Sequence, residues 1–163
     1  MSGLFRIRKY HPIKGGEEKT QAPVKPQTIV CPSCQRELER AQIIENNYIC
    51  TACGAYFRVR TKNRIRMVCD KGSFTPWFEE KQGNNPLLFP GYEEKLKDVR
   101  EKTALTEGVT VGEAAIYGER VCLGICDSRF LMGSMGQAVG ERIACSVERA
   151  TREKLPVVLF CCS

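Results

Sequence analysis

Four regularly spaced cysteines constrain the fold of this chain more than any other feature of its sequence. Cys31 and Cys34 form one Cys-x2-Cys pair, and Cys50 and Cys53 form a second pair after a gap of fifteen residues. Two such pairs, each on a tight turn, can place four thiolates around one tetrahedral Zn²⁺. The spacing therefore predicts a zinc ribbon over residues 29–58, in which a short hairpin in the gap returns the second pair to the first.

Two disulfides are the alternative to a metal, and the sequence disfavours them. The first twenty residues are polar and basic and lack the apolar segment of a signal peptide. Paired cysteines in a reducing compartment indicate metal binding. We therefore expect a cytoplasmic protein with one structural zinc ion. No apolar run has the length of a membrane span, so we expect no membrane association.

Positive charge is concentrated in the first part of the chain. Residues 1–66 contain thirteen Lys or Arg and five acidic residues, whereas residues 67–163 contain twelve and fourteen. A basic region of this kind can bind nucleic acid, an acidic protein surface or a phosphate-bearing cofactor, or it can be a solvated tail. Two aromatic residues and five alternating basic residues favour nucleic acid: Tyr56, Phe57, Arg58, Arg60, Lys62, Arg64 and Arg66.

The remaining cysteines do not predict a catalytic site. The only histidine, His11, lies in residues 1–28, which have little periodicity and are predicted to be a flexible basic arm. A Cys–His catalytic pair is therefore not expected, and we predict no catalytic side chain. Cys122 and Cys126 share one face of a predicted strand, where a second metal site is conceivable but small buried residues are favoured.

Hydrophobic periodicity and turn residues predict the elements that follow the first cysteine pair. The first are a turn at Asn46-Asn47, a strand at 56–59 and a helix at 61–69 that Thr61 caps and Gly72 ends. An irregular segment at 73–90, which inserts apolar anchors, and a helix at 92–102 follow. The last are strands at 108–117 and 120–127 joined at Gly118-Glu119, a loop at 130–136, a helix at 137–154 and a strand at 157–160. The last strand is entirely apolar, which is typical of burial on both faces. One helix and one hairpin do not provide that cover, so we expect a partner or further residues to complete the core.

A glycine-rich loop precedes the last helix. Gly133 and Gly136 allow a ligand to approach the backbone closely, and the helix N-terminus presents free N–H groups. Ser134 can cap that helix. A phosphate, a thioester carbonyl or a pantetheine amide would suit the loop, although a strand-to-helix turn that needs glycine for its geometry explains the same residues.

Several motifs occur together and in order along the chain. They are Cys-Pro-Ser-Cys at 31–34, Cys-Thr-Ala-Cys-Gly-Ala-Tyr-Phe-Arg at 50–58, Gly-Ser-Phe at 72–74, Phe-Pro-Gly-Tyr-Glu-Glu-Lys-Leu at 89–96, Gly-Ser-Met-Gly at 133–136, Val-Gly-Glu at 139–141, Glu-Arg-Ala-Thr at 148–151 and Leu-Pro at 155–156. This set resembles the carboxyltransferase beta subunit of the multi-subunit acetyl-CoA carboxylase of bacteria and plastids. The resemblance implies an α/β fold, with an incomplete crotonase-like ββα core over residues 59–163 behind the ribbon.

The resemblance also implies a function. Such a subunit transfers the carboxyl group from carboxybiotin on a carrier protein to acetyl-CoA, which gives malonyl-CoA in the first committed step of fatty acid synthesis. The implied partners are the carboxyltransferase alpha subunit in an α2β2 heterotetramer, the biotin carboxyl carrier protein and biotin carboxylase. CoA would lie along the loop that contains Phe130, Gly133, Ser134, Met135 and Gly136.

The sequence departs from the family pattern in two places. In the family, a Gly-Gly pair that donates N–H groups to the enolate oxygen follows the segment matched here by Cys161-Cys162-Ser163, and this sequence has no such pair there. We therefore expect this chain alone to be inactive. Asp127-Ser128-Arg129-Phe130 is also more polar than the family's equivalent. The alternatives are a nucleic-acid-binding module or a non-catalytic assembly module.

Overall fold

A computed structural model describes residues 27–162 of the chain. Its elements, in chain order, are β1 (Thr28–Val30), β2 (Glu37–Glu39), α1 (Arg40–Glu45), α2 (Thr61–Val68), β3 (Thr75–Trp77), α3 (Tyr92–Thr103), β4 (Val109–Ile116), β5 (Glu119–Cys126), a 3₁₀ turn (Leu131–Gly133), α4 (Gln137–Glu153) and β6 (Val157–Phe160). No helix within residues 27–162 is both long and apolar enough to cross a membrane.

A four-stranded sheet in the order β3-β4-β5-β6 organises residues 61–162, which we call the αβ core. The β3–β4 and β4–β5 pairs are antiparallel and β5–β6 is parallel. Parallel neighbours need a crossover connection, and α4 provides it between β5 and β6. The hairpin β4–β5 followed by α4 is the ββα unit that the sequence predicts.

Apolar side chains cover both faces of this sheet. On one face, Val109, Val111 and Cys122 pack with Val139 and Ala150 of α4. On the other face, a second buried cluster formed by β4 and β5 packs against α2. The αβ core is therefore a three-layer arrangement, in which alternate residues of each strand face opposite helices.

The ribbon differs from its prediction between the two cysteine pairs. The gap contains β2 and the short helix α1 rather than a simple hairpin, and Ile43 and Ile44 are helical. The turn at Asn46-Asn47 follows that helix, and the N–H of Tyr48 donates to the carbonyl of Ile43 at 2.7 Å. Residues 56–59 do not form the predicted strand, because only an isolated bridge joins Tyr56 to Ile49.

The predictions for residues 73–90, which we call the linker, and for the β4–β5 turn also need correction. The segment 73–90 contains the strand β3, whose Pro76 is tolerated because β3 is an edge strand of the sheet. Trp77 is buried as an anchor, but three of the other predicted anchors are exposed: Leu87, Leu88 and Phe89. The β4–β5 turn consists of Tyr117-Gly118 rather than Gly118-Glu119, since Ile116 pairs with Glu119.

The last strand is an edge strand within the described residues. β6 pairs with β5 alone, and the side chains of Val157 and Leu159 are about 40% exposed. Val158 and Phe160 on the opposite face pack against the cluster beneath α2. Burial on both faces is therefore not observed in residues 27–162, although the apolar composition of β6 suits it.

Candidate metal centre and glycine-loop site

Two backbone turns of the same design present the four cysteines. In the first turn, the N–H of Gln35 donates to the carbonyl of Cys31 at 3.0 Å, and the N–H of Cys31 donates to the carbonyl of Arg36 at 2.8 Å. In the second turn, Gly54 and Ala55 make the equivalent bonds with Cys50, at 2.9 and 2.8 Å. The β1–β2 hairpin supports the first turn, since β1 ends one residue before Cys31.

The sulfur positions match those of a tetrahedral zinc site. The Sγ atoms of Cys31 and Cys53 are 3.8 Å apart, and so are those of Cys34 and Cys50. All four ligand atoms lie within 4.8 Å of one another. Sulfurs bound to zinc at about 2.3 Å in a tetrahedron are about 3.8 Å apart, whereas a disulfide requires about 2.0 Å. All ten cysteines are free thiols, so the four-cysteine cluster fits a metal rather than two disulfides.

The four thiols also need a cation for electrostatic reasons. The backbone N–H of Cys34 is the main cause that lowers the pKa of the Cys31 thiol to about 6. The backbone N–H of Arg36 lowers the pKa of Cys34, but burial and the neighbouring Cys53, Cys31 and Cys50 sulfurs raise it overall to about 11. Adjacent thiolates repel one another, and a divalent cation at their centre relieves that repulsion.

Asp127 directly follows β5 and is bound within the αβ core, at the cleft that faces the ribbon. Its carboxylate is 4% exposed and accepts bonds from the N–H and Oγ1 of Thr61, at 3.2 and 3.0 Å. It also accepts bonds from the N–H, Nε and Nη2 of Arg129. Burial would raise the pKa of Asp127, but the Arg129 guanidinium and the N–H groups of Arg129 and Thr61 lower it to about 2. Thr61 thus begins α2 without capping it, because its hydroxyl binds the carboxylate of Asp127, directly after β5, instead.

The predicted CoA loop is divided between the interior and the surface. Phe130 is 1% exposed, and its ring packs beside Gly108. Gly133 is buried at a φ of +78°, and a Cβ there would lie 2.7 Å from the Sγ of Cys162. Gly133 is therefore required by this close contact. Three other members of the loop are exposed before α4: Ser134, Met135 and Gly136.

The exposed half of the loop borders a cleft of about 240 Å³. The start of α4 lines one side of this cleft, and Gln82, Gly83 and Asn84 of the linker line the other. No side chain caps α4, so the N–H groups of its first turn lie at the cleft. The arrangement offers backbone donors, and the lining of the cleft includes the hydroxyls of Tyr92 and Ser134 but no cysteine, lysine or histidine.

Two buried charged residues, Arg142 and Glu107, bind the backbone of the linker beside this cleft. Neither residue is among those that the sequence predicts to be functional. Arg142 of α4 is 2% exposed and donates to the carbonyls of Lys81, Val109 and Glu79, at 2.6, 3.0 and 2.9 Å. Glu107 accepts the N–H groups of Gly83 and Gly108, each at 2.9 Å.

A signal for Arg142 exists in the sequence. It falls three residues after Val139 and eight before Ala150, on the apolar face of the last helix. A charged residue at such a position indicates a buried polar network.

The fold defines a class of architecture, a mixed α/β sheet with a ββα unit next to a four-cysteine cluster. The chain matches a single-chain, multi-domain long-chain acyl-CoA carboxylase with a TM-score of 0.52, at 20% identity over 63% of this chain and 11% of that chain. At that identity the likeness shows the fold alone. No family model matches the chain.

Sequence comparison gives the particular family. The chain is 40% identical over 163 residues to the acetyl-coenzyme A carboxylase carboxyl transferase subunit beta of Clostridium novyi, covering 96% of this chain and 57% of the relative. Identity is also 40% to the same subunit of Carboxydothermus hydrogenoformans, covering 100% of this chain and 58% of the relative. The chain is therefore homologous to the N-terminal part of this subunit family, and it spans little more than half the length of these curated relatives.

Proposed function

We propose that this chain provides the N-terminal part of the carboxyltransferase component of a cytoplasmic acetyl-CoA carboxylase. The single observation that carries the proposal is the homology to carboxyl transferase beta subunits along almost the entire chain. The reaction would transfer the carboxyl group of carboxybiotin to acetyl-CoA and form malonyl-CoA. The partners would be the alpha subunit, the biotin carboxyl carrier protein and biotin carboxylase.

Within this proposal, the glycine loop and the start of α4 bind the acyl-CoA. The cleft beside Ser134 and Gly136 supports this role, because its walls offer backbone N–H donors and leave the loop surface open. Gly133 would allow the loop to pack closely against Cys162, and the buried ring of Phe130 would anchor the start of the loop in the αβ core. No catalytic side chain of this chain is required, since carboxybiotin supplies both the carboxyl group and a basic ureido nitrogen. Stabilisation of the enolate oxygen by N–H donors is the main contribution expected of the protein.

The four-cysteine cluster would hold one structural zinc ion. Four protein ligands leave no open position for substrate, which is typical of a structural rather than a catalytic site. Zinc would fold residues 29–58, and the bonds between Asp127 and Thr61 would fix the start of α2, the first element after the ribbon. We propose the same domain organisation as the sequence predicts: an N-terminal arm over 1–28, the ribbon over 29–58 and the carboxyltransferase part over 59–163. The arm lies almost wholly outside the described residues.

A chimaera tests the proposed reaction. Residues 1–163 are joined to the C-terminal part of the Clostridium novyi subunit and mixed with alpha subunit, biotin carrier, biotin carboxylase, ATP, bicarbonate and acetyl-CoA. We expect malonyl-CoA from the chimaera and none from the 163-residue chain alone. A folded, zinc-loaded chimaera that binds the alpha subunit but makes no malonyl-CoA would contradict the proposal. Replacement of exposed Gly136 by Val should raise the KM for acetyl-CoA, because the side chain would enter the cleft.

Nucleic-acid binding is a second candidate, supported by the surface between the ribbon and the αβ core. Arg58, Arg60 and Arg129 line a cleft of about 420 Å³ there. Tyr56 in the adjacent turn is 79% exposed, so its ring is available to stack on a base.

Phosphate contacts weaken as salt rises, so RNA mobility should shift at low salt and recover at high salt. A double replacement of Arg58 and Arg60 by Gln should abolish the shift. A matched double replacement of Lys97 and Lys102 by Gln on α3 should leave it unchanged. Equal loss in both variants, or no shift at low salt, would exclude this function.

A further inference from the structure

Three cysteines outside the metal centre meet at one end of the parallel strands β5 and β6. Cys126 is the last residue of β5, and Cys161 and Cys162 directly follow β6. Ile125 pairs with Phe160 in the parallel register, so the next residue along each strand is a cysteine, Cys126 on β5 and Cys161 after β6. Neighbouring strands are about 4.8 Å apart, within the Cα separation of about 4.4–6.8 Å that a disulfide spans.

The surroundings give these two thiols different properties. Cys161 is exposed, whereas Cys126 is partly buried. Burial raises the pKa of the Cys126 thiol; the backbone of Cys162 hydrogen-bonds to it, and the Cys161 and Cys162 thiols lie close enough to raise its pKa further. Cys161 is therefore the residue that an oxidant in solution meets first, and Cys126 is the partner closest to it across the strands.

We propose that Cys126 and Cys161 form a reversible disulfide, which involves none of the proposed zinc ligands and forms without the proposed carboxyl transfer. Hydrogen peroxide is the oxidant and a dithiol the reductant. The Cys161 thiol loses its proton, the thiolate attacks peroxide, the O–O bond breaks, and a sulfenic acid and hydroxide form; the hydroxide takes up the released proton and becomes the first water. The Cys126 sulfur then attacks the Cys161 sulfur, the S–O bond breaks, and the disulfide and a second water form. The two thiols lose two electrons and two protons, and the peroxide is reduced to water.

This disulfide would affect the glycine loop through Cys162. The loop rests on that residue, since a Cβ on Gly133 would lie 2.7 Å from its Sγ and 2.8 Å from its carbonyl oxygen. A bond between Cys161 and Cys126 would draw the adjacent residue 162 toward β5, and Cys162 lies so close to Gly133 that no room exists for a Cβ between them. Hydrogen exchange at the loop amides, residues 131–136, should therefore change on oxidation and recover on reduction.

Peptide mapping of the zinc-loaded 163-residue chain tests the proposal. The chain is treated with hydrogen peroxide, remaining thiols are alkylated, and trypsin releases peptides 121–129 and 155–163. We expect these two peptides to be cross-linked, with fragmentation placing the bond between Cys126 and Cys161, and dithiothreitol should separate them. Zinc release, followed with a colorimetric chelator, should require more peroxide than cross-linking.

Matched variants identify the residues. Cys161→Ser should reduce the cross-link at least tenfold, and Cys161→Ala should do the same if the serine variant folds poorly. Cys122→Ser and Cys162→Ser should retain the cross-link. A bond through Cys122 or Cys162, irreversible over-oxidation of Cys161 without a partner, or loss of zinc before any cross-link forms would each overturn the proposal.

Discussion

The ribbon and the αβ core are stabilised by different physical means. Within residues 29–58 only Cys31, Ile43 and Cys50 are buried, and two of these three belong to the four-cysteine cluster. The αβ core has apolar clusters on both faces of its sheet. A segment of about thirty residues cannot bury enough apolar surface to fold alone, so a metal held by the four cysteines would replace the hydrophobic core. The two regions should therefore respond separately, the ribbon to loss of metal and the αβ core to substitutions of its buried residues.

The largest expected effect is that of zinc removal. Chelation, or a Cys50→Ser substitution, should unfold the ribbon, because binding of structural zinc contributes about 10–16 kcal/mol in comparable sites. Hydrogen exchange should accelerate throughout 29–58, while the amides of β4, β5 and α4 stay protected. Cys145→Ser on α4 is the matched control and should retain full zinc content. Global loss of protection on chelation would show that the two regions are not independent.

The reverse experiment breaks the αβ core and leaves the metal. Arg142→Met removes the guanidinium that satisfies the carbonyls of Lys81, Val109 and Glu79. Unpaired buried polar groups are costly, so urea unfolding should show a loss of about 3–5 kcal/mol. Arg152→Met, an exposed position of the same helix, should lose less than about 0.5 kcal/mol. Zinc stoichiometry should be unchanged in both variants, and its loss in Arg142→Met would contradict the separation.

Asp127 lies between the two regions, and its titration should be visible in stability. Its folded pKa of about 2 is below the ordinary value of 3.8. Its contribution is therefore complete above about pH 4 and is lost as the pH falls toward 2, with a magnitude of about 2 kcal/mol. Asp127→Asn should remove this pH dependence, and Asp98→Asn on α3 should keep it. Both variants are compared without zinc, because acid also protonates the metal ligands.

The parts of the molecule that the sequence predicts are those encoded by local patterns. The cysteine spacing predicts that the four cysteines meet in one cluster. The apolar periodicity from Val139 to Ala150 predicts which face of α4 is buried. The β4–β5 hairpin is predicted for the same reason, although its turn is displaced by one residue to Tyr117-Gly118. Such features depend on residues that are close in sequence, so a single sequence suffices to find them.

The missed features depend on contacts between distant residues. Thr61 looks like a helix cap, but a carboxylate 66 residues further along the chain accepts its hydroxyl hydrogen. Arg142 stands out on the apolar face of α4, yet its partners belong to the linker and to β4, and the sequence does not identify them. The strand β3 contains a proline and only becomes a strand because β4 offers a free edge. These contacts arise from tertiary structure, which local propensity does not encode.

The smallest expected effect is a change in zinc affinity when the backbone of either cysteine turn of the ribbon is altered. Both turns place a residue in the left-handed region, Gln35 at a φ of +59° and Gly54 at +74°. A Cβ on Gly54 would meet nothing within 4 Å, so Gly54→Ala tests backbone strain alone. It should weaken zinc binding by about 1 kcal/mol, because L-residues with a side chain disfavour this conformation.

In the first turn the opposite substitution is Gln35→Gly, which introduces a glycine where the second turn already has one. Gln35→Gly relieves the strain of a non-glycine residue, although the greater freedom of glycine in the unfolded chain offsets part of the gain. Zinc affinity, measured by competition with a chelator, should therefore rise by less than Gly54→Ala lowers it, by about 0.5 kcal/mol or less. If Gln35→Gly weakened binding instead, the bond from the Gln35 side chain to the carbonyl of Pro32, at 3.2 Å, would outweigh the backbone strain. The two turns would then share a backbone design but differ in what stabilises it.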